Sequence, residues 1–334
     1  MLKITRKQVD DFFMQIAKLN IAVVGDVMID VYYWGQTRRI SPEAPVPVVE
    51  INKEEIKPGG AANVALNIHT LEAKAKMFGL IGNDDAGKKL INSFKADGIS
   101  PEYLTIDPER PTTVKTRVMA ANQHVVRFDK EITSDISAET ENDILDKLER
   151  HIHELDAIIL EDYNKGMLTE RVIKGIIKIA NQHKKIVTVD PKLRNFMAYK
   201  HATLFKPNLK EAEQILNRTI HTDEEIEKAG FDLLKLLECK YVVITLSERG
   251  VALFTKDQAM RIIPARSTKI ANVSGAGDTV IATLTAALAA GADFAISAAL
   301  ANYAASVVVE DVSIVPIYRK DLISRLIESG IVSE

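Results

Sequence analysis

The chain has 334 residues, with 43 basic and 46 acidic side chains, a formal net charge of −3 and 46% hydrophobic residues. Such a chain can bury a substantial core without metals or disulfides, and the composition is typical of a soluble globular protein. The small negative charge argues against a nucleic-acid partner, and the absence of a long apolar run argues against a membrane span. The single cysteine, Cys239, cannot form an intramolecular disulfide, so we expect a reducing, cytoplasmic location and a core position for Cys239.

Short β-branched runs alternate with helical patterns along the chain, which predicts an α/β fold with a mainly parallel sheet. The predicted strands are residues 20–25, 75–82, 156–162, 185–192, 202–208 and 241–250. The predicted helices are residues 60–72, 86–97, 138–153, 169–183, 209–217 and 222–238. Polar side chains stand where strands end, at the sheet edge where open α/β sheets bind ligands; they are Asp26, Asp162, Asp190 and Asn208.

Two stretches break this alternation, at about 31–57 and 112–129, and neither has helical periodicity. We expect them to form extra antiparallel strands, the second a hairpin around "AANQ", as a small lid over the ligand edge. Exposed strands need a partner, so a homodimer formed through the lid is expected. With no repeat and no long linker, residues 1–334 are expected to form one domain.

The stretch "NVSGAGD" predicts an anion-binding turn. Gly275 and Gly277 allow close backbone approach, and the helix that begins at about Ala276 presents unpaired N–H groups at its positive end. Asp278 then suits a general base that accepts a proton from a hydroxyl during phosphoryl transfer. An ordinary glycine turn, with Asp278 favoured by the helix dipole, fits this segment equally well.

Three further motifs carry polar groups at strand or helix ends. In "KPNLKEAEQIL", Asn208 and Glu211 have the spacing of a magnesium-organising pair and equally of a helix capping box. In "KPGGAANVALNI", a glycine pair precedes a helix that carries Asn63, and in "VVGDVMID" two aspartates follow a buried strand. We expect these groups to bind sugar hydroxyls, and the alternative is an ordinary helix start or surface loop. The residues are Gly59, Gly60, Asn63, Asp26 and Asp30.

Taken together, these motifs resemble the ribokinase-like family of carbohydrate kinases across essentially the whole chain. The resemblance implies a three-layer α/β/α sandwich with a β lid, an ATP donor and Mg²⁺. It implies that Asp278 is the catalytic base, beside the anion-binding backbone of Gly275, Ala276 and Gly277. Magnesium would be organised, mostly through water, by Asn208 and Glu211.

Within that family, "VVGDVMIDVYYWGQTRRISPEAPVPVV" followed by "PGGAANVALNI" is similar to the bacterial heptose 7-phosphate kinases. "EDYNKGML" and "VDPK" also fall where those kinases have similar segments. The resemblance implies phosphorylation of D-glycero-D-manno-heptose 7-phosphate at O1, which supplies ADP-heptose and lipopolysaccharide core synthesis.

A sugar phosphate substrate needs cations, and Arg and Lys are its natural partners. Lys115 and Arg117 point to the same face of a strand, so both can meet one ligand, although a solvated lid face is the alternative. The other phosphate candidates are Arg127, Arg38, Arg39, Lys165 and Lys192, and Asp162 is expected at the sugar. The residues expected to bind the nucleotide are Asp190, Lys192, Asn208, Glu211, Thr245, Ser247, Gly250 and Asn302.

The sequence departs from its relatives at three places. Asn272 stands where the signature usually has aspartate, near the family's monovalent-cation site, so potassium activation does not follow from the resemblance. The segment "VVVEDVSIVP" lacks the usual glycine near the expected adenine pocket, which leaves the donor nucleotide open. Many relatives fuse a nucleotidyltransferase after the kinase; these 334 residues leave no room for one, so we expect another protein to perform the adenylyl step.

Other functions compete with this interpretation. Another sugar kinase of the family, for fructose or ribose, would need no phosphate on its acceptor. A sugar-phosphate sensor on the same scaffold would have no need for an intact base at Asp278. A dinucleotide-dependent oxidoreductase is disfavoured because no G-x-G-x-x-G follows the first strand, and no P-loop motif is present.

Overall fold

The computed structural model describes residues 4–120, 123–265 and 271–333. The helices are α1 (Arg6–Ile16), α2 (Ala61–Thr70), α3 (Asp85–Ala96), α4 (Ala138–His151), α5 (Glu170–Gln182), α6 (Leu209–Leu216), α7 (Asp223–Leu237), α8 (Ala276–Ala289), α9 (Phe294–Val308) and α10 (Arg319–Glu328). The strands are β1 (Ile4–Thr5), β2 (Asn20–Gly25), β3 (Val27–Ile40), β4 (Pro47–Gly60), β5 (Lys74–Gly82), β6 (Leu104–Asp107), β7 (Thr113–Ala120), β8 (Gln123–Lys130), β9 (Ala157–Glu161), β10 (Ile186–Asp190), β11 (Leu204–Phe205), β12 (Tyr241–Thr245), β13 (Val251–Thr255), β14 (Gln258–Ile263) and β15 (Val332–Ser333).

A nine-stranded sheet forms the centre, in the order β14-β13-β12-β11-β10-β9-β2-β5-β6. The strands from β12 to β6 pair in parallel, whereas β13 and β14 add an antiparallel edge. Along β2, Ile21 and Val23 pack into a core shared with α1, α2, α8 and α9, while Ala22 and Val24 pack into a second core shared with α4, α5 and α7. Because these strands are buried on both faces, their sequences are continuous apolar runs. Helices cover both faces of the sheet, so the predicted three-layer α/β/α sandwich is confirmed.

A separate four-stranded sheet, in the order β4-β3-β7-β8, contains both segments predicted to form the lid. Its first two strands extend beyond the predicted range of 31–57, to Val27 at one end and Gly60 at the other. The expectation of purely antiparallel pairing was wrong for one pair, because β3 and β7 run parallel. The intervening β4, α2, β5, α3 and β6 supply the long crossover that parallel pairing requires. Two residues of the predicted "AANQ" turn, Ala121 and Asn122, lie outside the described residues.

Two predicted strands are shorter than expected. In 202–208 only Leu204–Phe205 is strand, because Pro207 has no N–H to donate and Asn208 begins the turn into α6. In 241–250 the strand ends at Thr245, and Ser247–Arg249 form a 3₁₀ turn that leads into β13. Cys239 is buried as predicted. In the part of the chain that the structure describes, we find no helix with the length and apolar character of a membrane span.

Candidate active site

The N-terminus of α8 carries the expected turn and places Asp278 in its first turn. Gly275 caps this helix with φ of +79°, a left-handed conformation that glycine adopts without a steric penalty. Asp278 is only 4% exposed, and each of its carboxylate oxygens accepts one hydrogen bond. Asn63 Nδ2 donates to Oδ2 at 2.7 Å, and the Tyr163 hydroxyl donates to Oδ1 at 2.8 Å. The carboxylate is therefore held in one orientation from two sides.

Burial raises the pKa of Asp278 to about 6, although the hydrogen bonds from Asn63 and Tyr163 lower it. A carboxylate with this pKa is ionised at neutral pH and is a stronger base than an exposed aspartate. General bases work best when their pKa lies near the working pH. Asp278 thus has both the geometry and the basicity to accept a proton.

A buried lysine lies beside the first turn of α8. Lys206 is 3% exposed, and its Nζ lies 2.8 Å from Asp190 Oδ2. A methyl group added at Gly277 would lie 3.6 Å from Asp190 Oδ2 and 3.7 Å from Lys206 Nζ. The space above Gly277, at the N-terminus of α8, is therefore bordered by the Asp190 carboxylate and by the Lys206 ammonium group that pairs with it. The helix N-terminus and the ammonium group each stabilise an anion.

The Asn208–Glu211 pair forms the capping box that the sequence offered as one alternative. Glu211 N donates to Asn208 Oδ1 at 2.8 Å, and Asn208 N donates to Glu211 Oε2 at 2.9 Å. The remaining Glu211 oxygen accepts a hydrogen bond from Lys192 Nζ at 2.6 Å. Burial alone would lower the pKa of Lys192, but Asp190 and Glu211 outweigh it and raise that pKa. A metal ion bound directly to Asn208 or Glu211 would have to break these hydrogen bonds, whereas a metal ion bound through a water molecule would leave them intact.

One cavity of about 430 Å³ brings the nucleotide-binding candidates together with the α8 turn. This volume is in the usual range for sites that bind small molecules or cofactors. Its lining includes every residue predicted to bind the nucleotide, namely Asp190, Lys192, Asn208, Glu211, Thr245, Ser247, Gly250 and Asn302. It also includes Gly275, Ala276, Gly277 and Asp278 from the α8 turn.

The glycine pair and the lid meet at Asp30. A methyl group on Gly59 would lie 2.1 Å from Asp30 Oδ2, so only glycine permits this approach of β4 to β3. Gly60 has φ of +55° and leads directly into α2, which carries Asn63. Asp30 forms a buried ion pair with Arg117 of β7. This pairing occupies one oxygen of the predicted sugar-binding aspartate.

Asp26 and Asp162 hold the loop that follows β9. The Asp26 carboxylate accepts backbone N–H groups from Tyr163, Lys165 and Met167 at 2.8, 2.9 and 3.2 Å. Asp162 accepts the Asn164 N–H at 2.7 Å and the Tyr199 hydroxyl at 2.8 Å. Neither aspartate lines the 430 Å³ cavity. Their contacts position this loop and, through it, Tyr163.

The predicted phosphate-binding cations differ in what they contact. Arg127 pairs with Asp129, Lys165 pairs with Glu131, and Arg38 lies 3.7 Å from Glu50. Arg39 is exposed toward the far end of β3. Lys115 makes no ion pair with any residue that the structure describes, and its Nζ lies 4.8 Å from the centre of the Tyr163 ring. Burial lowers the pKa of Lys115, so a nearby anion would stabilise its charged form.

Three residues of this site were not among the sequence candidates: Tyr163, Lys206 and Glu161. Each lies in a segment that the sequence had already marked, "EDYNKGML" or "KPN", at the carboxyl end of a predicted strand. Their position at strand ends was the available signal, but it did not distinguish these side chains from their neighbours.

Asn272 stabilises the loop that precedes α8. Its Oδ1 accepts the Ser274 N–H at 2.9 Å, and its Nδ2 donates to Val312 O at 3.0 Å.

Known proteins resemble this chain over most of its length. The family described as pfkB family carbohydrate kinase matches residues 18–316. Curated relatives include Bifunctional protein HldE of Geobacter sulfurreducens, 40% identical over 96% of this chain, and Bifunctional protein HldE of Helicobacter pylori strain J99, 42% identical over 87%. This chain spans 66% of the first relative and 62% of the second, less than two thirds of their length.

Solved structures show the same fold at low sequence identity. Phosphofructokinase-2 from Escherichia coli in complex with potassium has a TM-score of 0.77 at 16% identity, covering 93% of this chain and 98% of that one. Arabidopsis thaliana ribokinase complexed with ribose and ATP has a TM-score of 0.73 at 18% identity, covering 92% and 98%. With the sandwich, the lid sheet and the α8 turn in place, the family match over most of the chain establishes that this protein belongs to the pfkB family of carbohydrate kinases.

Proposed function

We propose that this chain transfers the γ-phosphoryl group of ATP to O1 of D-glycero-D-manno-heptose 7-phosphate, giving the 1,7-bisphosphate used for ADP-heptose synthesis. The observation that carries the proposal is the placement of Asp278 in the first turn of α8. There its buried carboxylate and the helix N–H groups line one cavity. The long similarity around Asp30 and the glycine pair, and the curated relatives, support the choice of a heptose phosphate.

The chemistry follows from these positions. The acceptor O1 attacks the γ-phosphorus as its proton passes to the Asp278 carboxylate, and the bond to the leaving ADP oxygen breaks. The N–H groups at Gly275 and Gly277 would stabilise charge on the transferring group, whereas the Ala276 N–H already donates to Val273 O at 3.3 Å. Lys206 Nζ borders the same space. The four-stranded sheet would act as the lid that excludes water from the sugar.

The family implies a divalent metal with ATP, which neutralises phosphate charge when bound. The contacts of Glu211 with Lys192 and the Asn208 backbone leave room for metal only through water, the arrangement expected from the sequence. Three buried carboxylates across the cavity, Glu161, Asp190 and Asp278, supply oxygen ligands of the kind that Mg²⁺ prefers. The residues of the site therefore fit a magnesium–ATP donor.

The proposal of a phosphorylated acceptor is supported by Lys115. This lysine is partly buried beside Tyr163, which contacts the proposed base, and it has no anionic partner among the described residues. A sugar phosphate bound between the lid and Asp278 would supply that anion. Arg117, on the same face of β7, is already engaged by Asp30 and would orient Asp30 toward the sugar hydroxyls.

The test is ADP release with Mg²⁺-ATP, comparing D-glycero-D-manno-heptose 7-phosphate with fructose, ribose and fructose 6-phosphate. We expect strong preference for the heptose phosphate. Preference for an unphosphorylated sugar would overturn the substrate, and no turnover with any of them would favour a sensor. Asp278→Asn should still bind ATP but lose at least ~10²-fold in turnover, the usual weight of a general base.

We also propose that two copies pair through the lid in the cytoplasm, where ATP is available. Large apolar side chains are exposed on the lid strands; they include Ile51 at 48%, Val126 at 50% and Phe128 at 56%. Such residues on an edge strand favour a partner. Light scattering of the wild type should give the mass of a dimer, and light scattering of Phe128→Asp should give the mass of a monomer. A wild-type protein with the mass of a monomer would refute the pairing.

A further inference from the structure

A lysine of the lid sheet contacts the segment that follows α9. Lys57 lies near the end of β4, opposite Asp30 of β3, and it is partly buried. Its Nζ donates to Ser313 Oγ at 2.7 Å and to the carbonyl oxygen of Ile314 at 2.8 Å. This one ammonium group therefore joins the lid to residues 309–314, which are far away along the chain.

The acceptors of Lys57 are themselves held in place. The Ser313 hydroxyl donates to Asp311 Oδ1 at 3.0 Å, and the Ser313 N–H donates to the same oxygen at 2.9 Å. Because the hydroxyl proton is directed at Asp311, a lone pair of the hydroxyl oxygen faces the ammonium group. Burial lowers the pKa of Lys57, whereas Glu55 and Asp311 favour its charged form. The ammonium group has thus exchanged water for two fixed oxygen acceptors and a nearby carboxylate.

Residues 309–314 also contact the loop that leads into the glycine turn of α8. Val309 O accepts the N–H groups of Ala271 and Asn272 at 2.8 and 3.2 Å. The Asn272 side chain donates to Val312 O at 3.0 Å. These three hydrogen bonds couple the position of one segment to the position of the other.

The side chain of Ile314 completes the connection to the proposed base. A methyl group on Gly275 would lie 3.1 Å from Ile314 Cγ2 and 3.1 Å from Asn63 Nδ2. Asn63 in turn donates a hydrogen bond to Asp278. The residue whose carbonyl oxygen binds Lys57 therefore packs against the N-cap of α8. Because closely packed groups transmit displacement, loss of the Lys57 contacts should loosen this turn.

We propose that Lys57 is a positioning residue whose ammonium group ties the lid to residues 309–314 and thereby holds the glycine turn of α8 in place. The placement of the lid and the order of the turn would then depend on the same two hydrogen bonds. This inference rests on the proposed function for its effect on turnover, whereas its effect on the turn can be measured without any substrate.

The first measurement is hydrogen exchange by mass spectrometry on the substrate-free protein, comparing the wild type with Lys57→Ala. We expect exchange in residues 271–279 to rise at least about tenfold, the weight of one hydrogen bond to a charged group. The matched control is Lys53→Ala, which removes an exposed lysine from the same strand and should leave that exchange unchanged. Lys57→Met, which keeps an apolar stem, replaces Lys57→Ala if thermal melting shows that the alanine variant unfolds.

Chemical rescue separates the ammonium group from the rest of the side chain. The heavy atoms that Lys57→Ala lacks are those of propylammonium, which should slow the exchange again. In the kinase assay, kcat of Lys57→Ala should fall about tenfold or more with KM for the heptose phosphate little changed, because the turn acts on the transferring group. Propylammonium should restore part of this kcat. Tetramethylammonium carries the charge but has no N–H group, so it should restore neither property.

Faster exchange in residues 271–279 of Lys57→Ala but not of Lys53→Ala, reversed by propylammonium, would support the proposal. Unchanged exchange in Lys57→Ala, an equal rise in Lys53→Ala, or rescue by tetramethylammonium would each overturn it. A wild type that does not phosphorylate the heptose phosphate would sink the proposed function, and hydrogen exchange would still decide the role of Lys57. An active wild type, with Lys57→Ala equal to it in exchange and in kcat, would sink this inference alone.

Discussion

Replacing Gly277 by alanine should make the protein more stable and much less active. The added methyl would lie 3.6 Å from Asp190 Oδ2 and 3.7 Å from Lys206 Nζ, which are ordinary contact distances, so the fold can accept it. Alanine is a better helix former than glycine by up to about 1 kcal/mol, so we expect the free energy of unfolding to rise by no more than that amount. The methyl would fill the space above the first turn of α8. Because a transferring phosphoryl group would need that space, turnover should fall by about 10²-fold or more, as when one oxyanion-hole donor is lost.

The two effects are measured on one preparation, by urea unfolding and by ADP release with the heptose phosphate. The control is Gly291→Ala, just beyond the other end of α8. Gly291 has φ of +89° and no atom within 4 Å of the added methyl, so only the backbone is strained, by about 1–2 kcal/mol. That variant should lose stability and keep its turnover. A Gly277→Ala protein that turns over like the wild type would refute the placement of the phosphoryl group.

Two further variants test a contact at the site and the N-cap of α3. Tyr163→Phe removes the hydroxyl that donates to Asp278 at 2.8 Å. A hydrogen bond to a charged group contributes about 1.5 kcal/mol or more, so kcat should fall about tenfold while KM for ATP stays unchanged; an unaltered kcat would show that Tyr163 does not position the base. Partial burial would raise the pKa of Asp84, but hydrogen bonds from Gly87 and Thr112 outweigh it and lower that pKa. Its stabilisation is therefore complete above the ordinary pKa of 3.8 and is lost as pH falls through the lower folded value. Asp84→Asn should unfold at lower urea than the wild type at pH 7, and this difference should narrow as the pH falls below 3.8; a constant difference would contradict this assignment.

Local sequence signals predicted much of the site. The glycine turn, the helix that begins at Ala276 and the capping spacing of Asn208 and Glu211 each depend on residues within one turn, and each appears as predicted. The apolar runs also predicted six strands of the nine-stranded sheet. Because parallel strands present their carboxyl ends at one edge, polar residues after those strands could be assigned to one region before their contacts were known.

The contacts themselves depend on strand order, which short-range spacing does not encode. Glu161 and Asp190 approach each other because β9 and β10 are neighbours, and Lys206 joins them because β11 lies beside β10. The parallel pairing of β3 with β7 brings Arg117 to Asp30 across 87 residues of chain.

The sequence by itself determined the fold class, the family resemblance and the residues of the glycine turn before α8, because periodicity, capping and glycine conformation act over a few residues. Only the tertiary structure decided which charges are already paired and which are not. It paired Arg127 with Asp129 and Lys165 with Glu131, and it left Lys115 without an ion pair among the described residues. Electrostatic interaction depends on distance and burial, and both are set when distant strands and helices pack together.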